Sequence, residues 1–272
     1  MLLRRIGAFA ILIGLVLLLG CGRPSERLRL SGSSTVAPLA AEMARLYEKL
    51  HPGLRIDVQT GGSSRGVTDA IEGRVDLGMA SRALKPEEAE KLRSIAIAND
   101  GIACIVHAEN PLRDLSVTQI HEIFTGKFKN WSELGAGSEK IVVVTKAEGR
   151  STLELFCHHF KLKPADLKAE IVIGDNAQGI KSVAASPLAI GYVSIGAAET
   201  AIREGTPIRL LALGGVAPSV ESLKQGLWPI ARPLNLLVPK DRAISKLAQG
   251  FLDFSTSNEV HPVIEDLAFV AP

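Results

Sequence analysis

The stretch from Leu28 to Leu50, LRLSGSSTVAPLAAEMARLYEKL, sets the repeating unit of this chain. Leu28 to Leu30 is a short apolar run of strand character, and Ser31 to Thr35 is a break rich in hydroxyls and glycine. Leu39, Met43, Leu46, Tyr47 and Leu50 then recur at helical spacing until His51-Pro52-Gly53 stops them. Working outward, the same order of strand, polar turn and helix returns along the chain. Strand-like runs fall at Leu54 to Val58, Val75 to Met79, Ile102 to Val106, Ile141 to Thr145, Ile171 to Ile173, Ile190 to Val193, Ile208 to Leu213 and Leu234 to Val238. Amphipathic stretches lie between them, among them one with Leu153, Phe156, Cys157 and Phe160 on a single stripe. Alternation of this kind predicts an α/β fold with mostly parallel sheets. There is no internal repeat, and Asn110-Pro111 and Gly214 to Pro218 are the best breaks between domains.

The N-terminus reads as a targeting segment. Arg4 and Arg5 precede an uncharged run from Ile6 to Leu19, too short for a full span and built like the n- and h-regions of a secretory signal. Leu18-Leu19-Gly20-Cys21 closes that run and resembles the lipobox of bacterial lipoproteins, so Cys21 is the expected acylated residue and the membrane is expected as a partner through that lipid. A plain signal peptide or an uncleaved anchor is the alternative. Residues 1–20 carry two arginines and no acid, so without them 29 basic residues stand against 29 acidic ones. That balance argues against a nucleic-acid partner. The remaining length suffices for two lobes with separate cores, and the low aromatic content with abundant small aliphatics suits α/β packing. Export permits a disulfide. Cys104 in an apolar strand and Cys157 on an apolar helix face nevertheless read as two inert core thiols.

Chemistry concentrates at the strand-to-helix junctions. Ser31-Gly32-Ser33-Ser34-Thr35, Thr60-Gly61-Gly62-Ser63-Ser64-Arg65-Gly66 and Glu148-Gly149-Arg150-Ser151-Thr152 are all hydroxyl- and glycine-rich, and Ala80-Ser81-Arg82 ends a strand in the same way. In a parallel sheet such junctions gather at the carboxyl ends of the strands, where ligands of open α/β folds bind. Each helix start offers unpaired N–H groups and a positive dipole end, and glycine lets the backbone approach an anion. Taken singly, each junction is explained by helix capping. Ser151-Thr152-Leu153-Glu154 even fits a capping box worth about 1 kcal/mol without any ligand. Four junctions sharing one chemistry point instead to convergent donors for a small polyoxygen anion, with Arg65, Arg82 and Arg150 as sources of charge.

Two other chemistries compete with this reading. Gly62-Ser63-Ser64-Arg65-Gly66 has the form of a nucleophile elbow, with Ser64 attacking and Asp253 and His261 completing a triad. Only two strands precede it and no His-Gly-Gly oxyanion loop is present, so no catalytic residue is assigned. Cys157-His158-His159 are consecutive on a helix and point apart, which is not a chelating arrangement, so no metal or cofactor is expected. Asp76 and Asp175, at strand ends, read as turn or capping groups.

Five segments carry a family resemblance over nearly all of the chain beyond the signal. Gly32-Ser33-Ser34-Thr35-Val36-Ala37-Pro38, Gly61-Gly62-Ser63-Ser64-Arg65-Gly66-Val67 and Val75-Asp76-Leu77-Gly78-Met79-Ala80-Ser81-Arg82 resemble the first lobe of phosphate-binding proteins of ABC importers. Ile123-Phe124-Thr125-Gly126-Lys127-Phe128-Lys129-Asn130-Trp131 and Ala189-Ile190-Gly191-Tyr192-Val193 resemble the second. The resemblance implies a class II periplasmic-binding-protein fold, two lobes each with a central mostly parallel sheet, joined by two crossover strands with the ligand between them. The expected division is a signal at 1–20, a tether at 21–27, one lobe from 28–108 plus 229–272 and the other from 109–228.

Carried over residue by residue, the resemblance implies contacts from Ser34, the Thr35 N–H and Ser63. The third loop departs from the pattern. Where the family has Arg followed by Ser-Gly-Thr, this chain has Lys146 and then Arg150-Ser151-Thr152, so Thr152 carries over directly, Ser151 replaces a glycine, and Arg150 is expected to take over the charge. With Ser64, Ser81 and Arg82 these form the candidate ligand set. A second departure concerns the carboxylate that some members place after the Val-Asp-hydrophobic-Gly strand to accept the proton of phosphate. Here Ser81 and Arg82 stand there, and a main-chain carbonyl, Glu148 or Asp69 is the expected substitute. The implied function is an extracytoplasmic, monomeric binding protein for inorganic phosphate that docks on ABC permease subunits. Sulfate, molybdate or a purely sensory role are its alternatives.

Overall fold

A computed structural model describes residues 26–272. The signal segment, Cys21 and all but the end of the tether lie outside the described residues. The first unit of the chain builds β1 (Glu26–Gly32) and α1 (Ala37–Leu50). Helix α1 buries Leu39, Met43 and Tyr47 on one stripe, starts with Pro38 in its first turn, and ends where Gly53 adopts a φ of 95°. β2 (Leu54–Thr60), α2 (Ser63–Ile71) and β3 (Leu77–Ala80) follow. β3 begins after Asp76 because that side chain accepts the Arg29 N–H at 2.7 Å, taking a place in the ladder that a backbone carbonyl would otherwise fill.

The short α3 (Pro86–Lys91) leads into β4 (Leu92–His107), a 16-residue strand of which only Ile102 to Val106 was expected. The second lobe then contributes β5 (Asp114–Leu115), α4 (Val117–Phe124), β6 (Val142–Lys146), α5 (Ser151–His159), β7 (Ile171–Ile173), α6 (Asn176–Ala184), β8 (Ala189–Ser194), α7 (Ile195–Arg203), β9 (Ile208–Leu210), β10 (Ala212–Leu213) and α8 (Val220–Lys224). β11 (Ala231–Pro239), α9 (Lys246–Ser255) and α10 (His261–Asp266) return to the first.

The strands run in the order β2-β1-β3-β11-β4-β8-β6-β7, with β9 also on β4. Outer pairs are parallel, as the alternation predicts: β1 with β2 and β3, and β6 with β7 and β8. The crossover strand β11 runs antiparallel to β3 and to the other crossover strand, β4, because a strand returning from the other lobe arrives in the opposite direction, and β4 runs antiparallel to β8. The N-terminal part of β4 pairs with β11 and its C-terminal part with β8 and β9, so one strand belongs to both lobes. One core packs α1, α9 and α10 against the first sheet through Leu28, Leu30, Leu39, Met43, Leu236 and Phe251. The other lobe is cored on both faces, around Phe124, Phe156, Tyr192 and Trp228 on one side and Val144, Val183 and Val193 on the other. Each fully buried side chain of this size contributes about 2–5 kcal/mol relative to alanine.

Two glycines govern how α2 meets the sheet. Gly32 has a φ of 138°, and a Cβ there would lie 2.1 Å from the Met79 carbonyl oxygen. A Cβ on Gly66 would lie 2.8 Å from the Gly32 Cα and 2.5 Å from the same oxygen. The first turn of α2 therefore lies directly on β1 and β3, with its N-terminus aimed along their carboxyl ends. Cys104 and Cys157 are buried free thiols in the second lobe, and burial pushes them up to about 12 and about 11.

Candidate functional site

Five strand-to-helix junctions, two from the first lobe's parallel strands, one from the end of β3 and two from the second lobe, meet at the cleft beside the crossover strands. Seven of the nine candidate contact residues reach one small cavity there: Ser34 and Thr35 before α1, Ser63 at the start of α2, Ser81 after β3, and Arg150, Ser151 and Thr152 at the start of α5. Gly62, with a φ of 94°, turns the chain so that the Ser63 hydroxyl faces inward, where it accepts the Ser81 N–H at 3.1 Å and donates to Ser151 Oγ at 3.0 Å. Ser81 Oγ lies 2.6 Å from Ser151 Oγ and accepts from Ser33 Oγ at 2.8 Å. Hydroxyls from both lobes thus bond to one another, and the space they enclose is only about 10 Å³. The expected capping box is not formed. Arg150 is the N-cap of α5 and makes no side-chain cap bond, which leaves the Ser151 hydroxyl to the cleft, while Glu154 turns toward Ser64 and Arg82.

Ser64 and Arg82 do not line the cavity. Ser64 Oγ donates to Glu154 at 3.4 Å, and its N–H reaches the Gly149 carbonyl. Arg82 leaves the strand on the side of α3, where its guanidinium is held bidentately by Glu88 at 2.7 and 2.8 Å, with Glu154 of the other lobe 3.1 Å from Nε. A fork matched to a carboxylate is worth more than a single contact with a hydroxyl. The hydrogen bond to Glu88 accordingly raises Arg82 above its ordinary range, and Arg82 holds the Glu88 carboxyl down although burial alone would raise it. The triad reading fails on geometry. Asp253 is exposed on α9, where Gln249 donates to it, and His261 is exposed at the start of α10, and both helices pack on α1, away from Ser64. Among the described residues, no group of His, Cys, Asp and Glu forms a metal cluster, and no helix is long and apolar enough to cross a membrane.

The deepest cation is one that sequence reasoning missed. Arg232, on β11 and 2 % exposed, donates to Thr152 Oγ1 at 2.9 Å, Thr35 Oγ1 at 3.2 Å and Ser81 Oγ at 3.4 Å, so one guanidinium joins the donor loops of both lobes. Its other face is held by Asp100 of β4 at 2.9 and 3.2 Å. Burial lowers the Arg232 guanidinium from its usual value, and Asp100 opposes that. Asn99-Asp100-Gly101 has the composition of a turn but lies inside the crossover strand. Glycine is required there by packing, since a Cβ on Gly101 would come within 3.0 Å of Ile195, Trp228 and Leu223. An arginine between Ile230 and Leu234 was the one available signal.

The fifth junction, β7 to α6, was also missed. Asp175 caps α6 by accepting the Gln178 N–H at 2.8 Å, as its position suggested. The next residue, Asn176, is buried and donates to Thr35 Oγ1 at 3.1 Å while accepting from Lys146 Nζ at 2.9 Å. Lys146 ends β6 at 3 % exposure and lines the cavity. Its backbone N–H bonds the Tyr192 hydroxyl, which also meets Thr145 Oγ1 at 2.7 Å, and the Tyr192 ring stacks on Phe156 of α5 with centroids 3.8 Å apart. The core of the lobe thus fixes where Lys146 stands. Burial first, then the Arg232 and Arg150 charges, bring its ammonium down to about 7, against the pull of Asp175.

None of the residues lining the cavity is a carboxylate. Asp69, one expected acceptor, is occupied by Ser31, Arg65 and Arg74 at 2.7, 3.2 and 3.3 Å, and Glu148, the other, is exposed. The lining offers hydroxyls, the N-terminal ends of helices and cations, a donor set for an oxyanion. A wider groove of about 750 Å³ adjoins it through Ser34 and Thr35, but its walls from α1, α6 and α7 are mostly apolar.

Comparison with known proteins bears on the family and the fold. A family model for the PBP superfamily domain matches residues 22–259. The phosphate-binding protein PstS of Bacillus subtilis is 28 % identical over 253 residues, covering 91 % of this chain and 81 % of the relative. PstS 2 of Streptococcus agalactiae is 40 % identical over a shorter stretch, 40 % of this chain and 38 % of its own. A phosphate ABC transporter substrate-binding protein from Clostridium perfringens, solved with bound phosphate, superposes with a TM-score of 0.83 at 29 % identity, over 91 % of this chain and all of the other. An ABC-type phosphate transport receptor from Vibrio cholerae gives 0.73 at 26 % identity, over 90 % of this chain and all of the other. Two lobes on a shared pair of crossover strands, an anion-type cleft between them and a match along nearly the whole chain identify it as a member of the PBP superfamily.

Proposed function

We propose that this protein captures inorganic phosphate in the interlobe cleft and delivers it to the permease of an ABC importer. The observation that carries this reading is the convergence of donors from both lobes, Ser34, Thr35, Ser63 and Ser81 on one side and Arg150, Ser151 and Thr152 on the other, around Arg232 and Lys146 in a cavity without an acid. A tetrahedral oxyanion takes over the hydroxyl-to-hydroxyl contacts that now link the lobes, and only the shut form satisfies all four of its oxygens. Binding therefore shifts the population toward closure. Expulsion of water strengthens each remaining donor. The Arg232–Asp100 pair is nearly neutral as a unit, so its guanidinium serves as an aimed donor and Arg150 supplies the excess charge.

In this reading the protein works outside the cytoplasm as a monomer, held to the membrane by a lipid on Cys21, and turns over no substrate. The names of its relatives support the binding role, and the form of residues 1–21 supports export and the lipid. Calorimetric titration with phosphate, sulfate and molybdate tests the ligand. Tight sulfate binding with no phosphate binding would end the proposal, and labelling with radioactive palmitate that persists in a Cys21→Ser variant would end the lipoprotein part.

A further inference from the structure

Building on the phosphate reading above, we propose that Lys146 accepts, as a neutral amine, the proton that phosphate carries, and that it thereby separates phosphate from fully ionised oxyanions such as sulfate. A phosphate that keeps a P–OH group needs an acceptor wherever that group points. The carboxylates near the cleft are all committed elsewhere: Asp100 to Arg232, Asp69 to Ser31 and two arginines, Asp175 to its helix cap, Glu88 and Glu154 to Arg82. Serine hydroxyls accept and donate equally well and so cannot discriminate.

Lys146 is different in kind. Its amine is buried, has one hydrogen-bond partner in Asn176 Oδ1, and forms no ion pair with any carboxylate among the described residues. The charged groups that face it are Arg232 from β11, Arg150 from the start of α5 and Asp175 from the start of α6. Tyr192, against its backbone, is held protonated by burial and does not titrate in this range. Burial first, then the two guanidiniums, with Asp175 the one opposing charge and no carboxylate in contact, bring the ammonium down to about 7. The neutral amine donates to Asn176 and presents its lone pair to the cavity, which an arginine in this position could not do.

The proton balance follows directly. Hydrogen phosphate dianion brings one proton, which lies on the line from a phosphate oxygen to Lys146 Nζ. If it crosses, the amine gains and the ligand loses one positive charge, and the complex keeps the same total. Sulfate brings none, so its binding requires Lys146 to take a proton from solvent, and its affinity must fall by about tenfold for each pH unit above the amine's own value.

The experiment is calorimetric titration of the purified protein with phosphate and with sulfate between pH 6.5 and 9.5, in buffers of different ionisation enthalpy so that protons are counted. Between pH 7.5 and 9 the preference for phosphate over sulfate should grow by about 30-fold. At pH 8.5 phosphate should bind with almost no proton uptake and sulfate with an uptake approaching one. Lys146→Arg, which carries a fixed charge and cannot accept, should make the preference independent of pH. Parallel affinities for the two anions across this range, or uptake of about one proton with phosphate at pH 8.5, would overturn the proposal. The phosphate proton count decides even where sulfate is too weak to titrate. Failure to bind phosphate at pH 7 would instead overturn the functional reading and this inference with it.

Discussion

Replacing Arg232 with methionine separates the two roles of the crossover strands, since it removes the guanidinium that joins the loops and strands Asp100. The Asp100 side chain is fully buried and the Arg232 side chain 1 % exposed, so the abandoned carboxylate has no route to water. Breaking a buried pair from one side costs about 3–5 kcal/mol. For a chain of this size each kcal/mol moves Tm by about 2–4 °C, so Arg232→Met should melt roughly 6–20 °C lower. Methionine in place of arginine together with Asp100→Asn removes the stranded charge and should recover most of that loss. Phosphate affinity behaves differently, because the donor to the cleft is missing in both variants. Each should bind about 10- to 150-fold more weakly, the equivalent of one charged hydrogen bond at about 1.5–3 kcal/mol. Thermal melts in phosphate-free buffer beside calorimetric titrations measure the two effects. Arg232→Met melting within about 2 °C of the parent, or a double variant that recovers binding along with stability, would refute the reasoning.

Lys146→Met removes an amine whose folded pKa, about 7, lies below its unfolded value near 10.5. The unfolded state then holds more protons between those limits, so parent stability rises with pH through that window and the full penalty acts below about pH 7. The variant should be more stable at pH 6, by at most about 3–5 kcal/mol, and flat from pH 7 to 10 in denaturant titrations. Glu154→Gln cuts the contact between α5 and Arg82 across the lobes without touching the cavity lining. Stopped-flow release of phosphate should speed up about two- to fivefold with association unchanged, the scale of a partly exposed ion pair. Gly66→Ala drives a Cβ to 2.5 Å from the Met79 carbonyl. It should lose about 1–3 kcal/mol in urea unfolding, and more than Gly137→Ala, where only the backbone conformation resists because nothing lies within 4 Å.

Local chemistry alone made most of the frame legible. Helical spacing in Leu39, Met43 and Tyr47, short apolar runs and hydroxyl-rich turns are nearest-neighbour properties, and they announced α1, β1, β2, β6, β7 and the loops that carry Ser34, Ser63, Ser81 and Thr152. Direction of pointing is a different kind of property. Ser81 and Arg82 are adjacent in a strand end, so their side chains leave on opposite sides, and only the position of α3 with Glu88 decides which of them reaches the cleft. The long crossover strand β4 was hidden because Asn99-Asp100-Gly101 has turn composition, while the contacts that keep it extended come from residues more than 90 positions away, at Ile195, Trp228 and Arg232.

The order of elements and the glycine- and hydroxyl-rich junctions were therefore determined by the sequence itself, since they depend on residue type and spacing. Which cation stands at the centre was decided by tertiary structure. Arg232 reaches the donor loops of both lobes only because β11 runs antiparallel to β4 and sets it over Asp100, and the Lys146 ammonium is brought down to about 7 only because the fold buries it beside two guanidiniums. Both outcomes are set by desolvation and by charges brought together from distant parts of the chain, and neither is a property of any local run of residues.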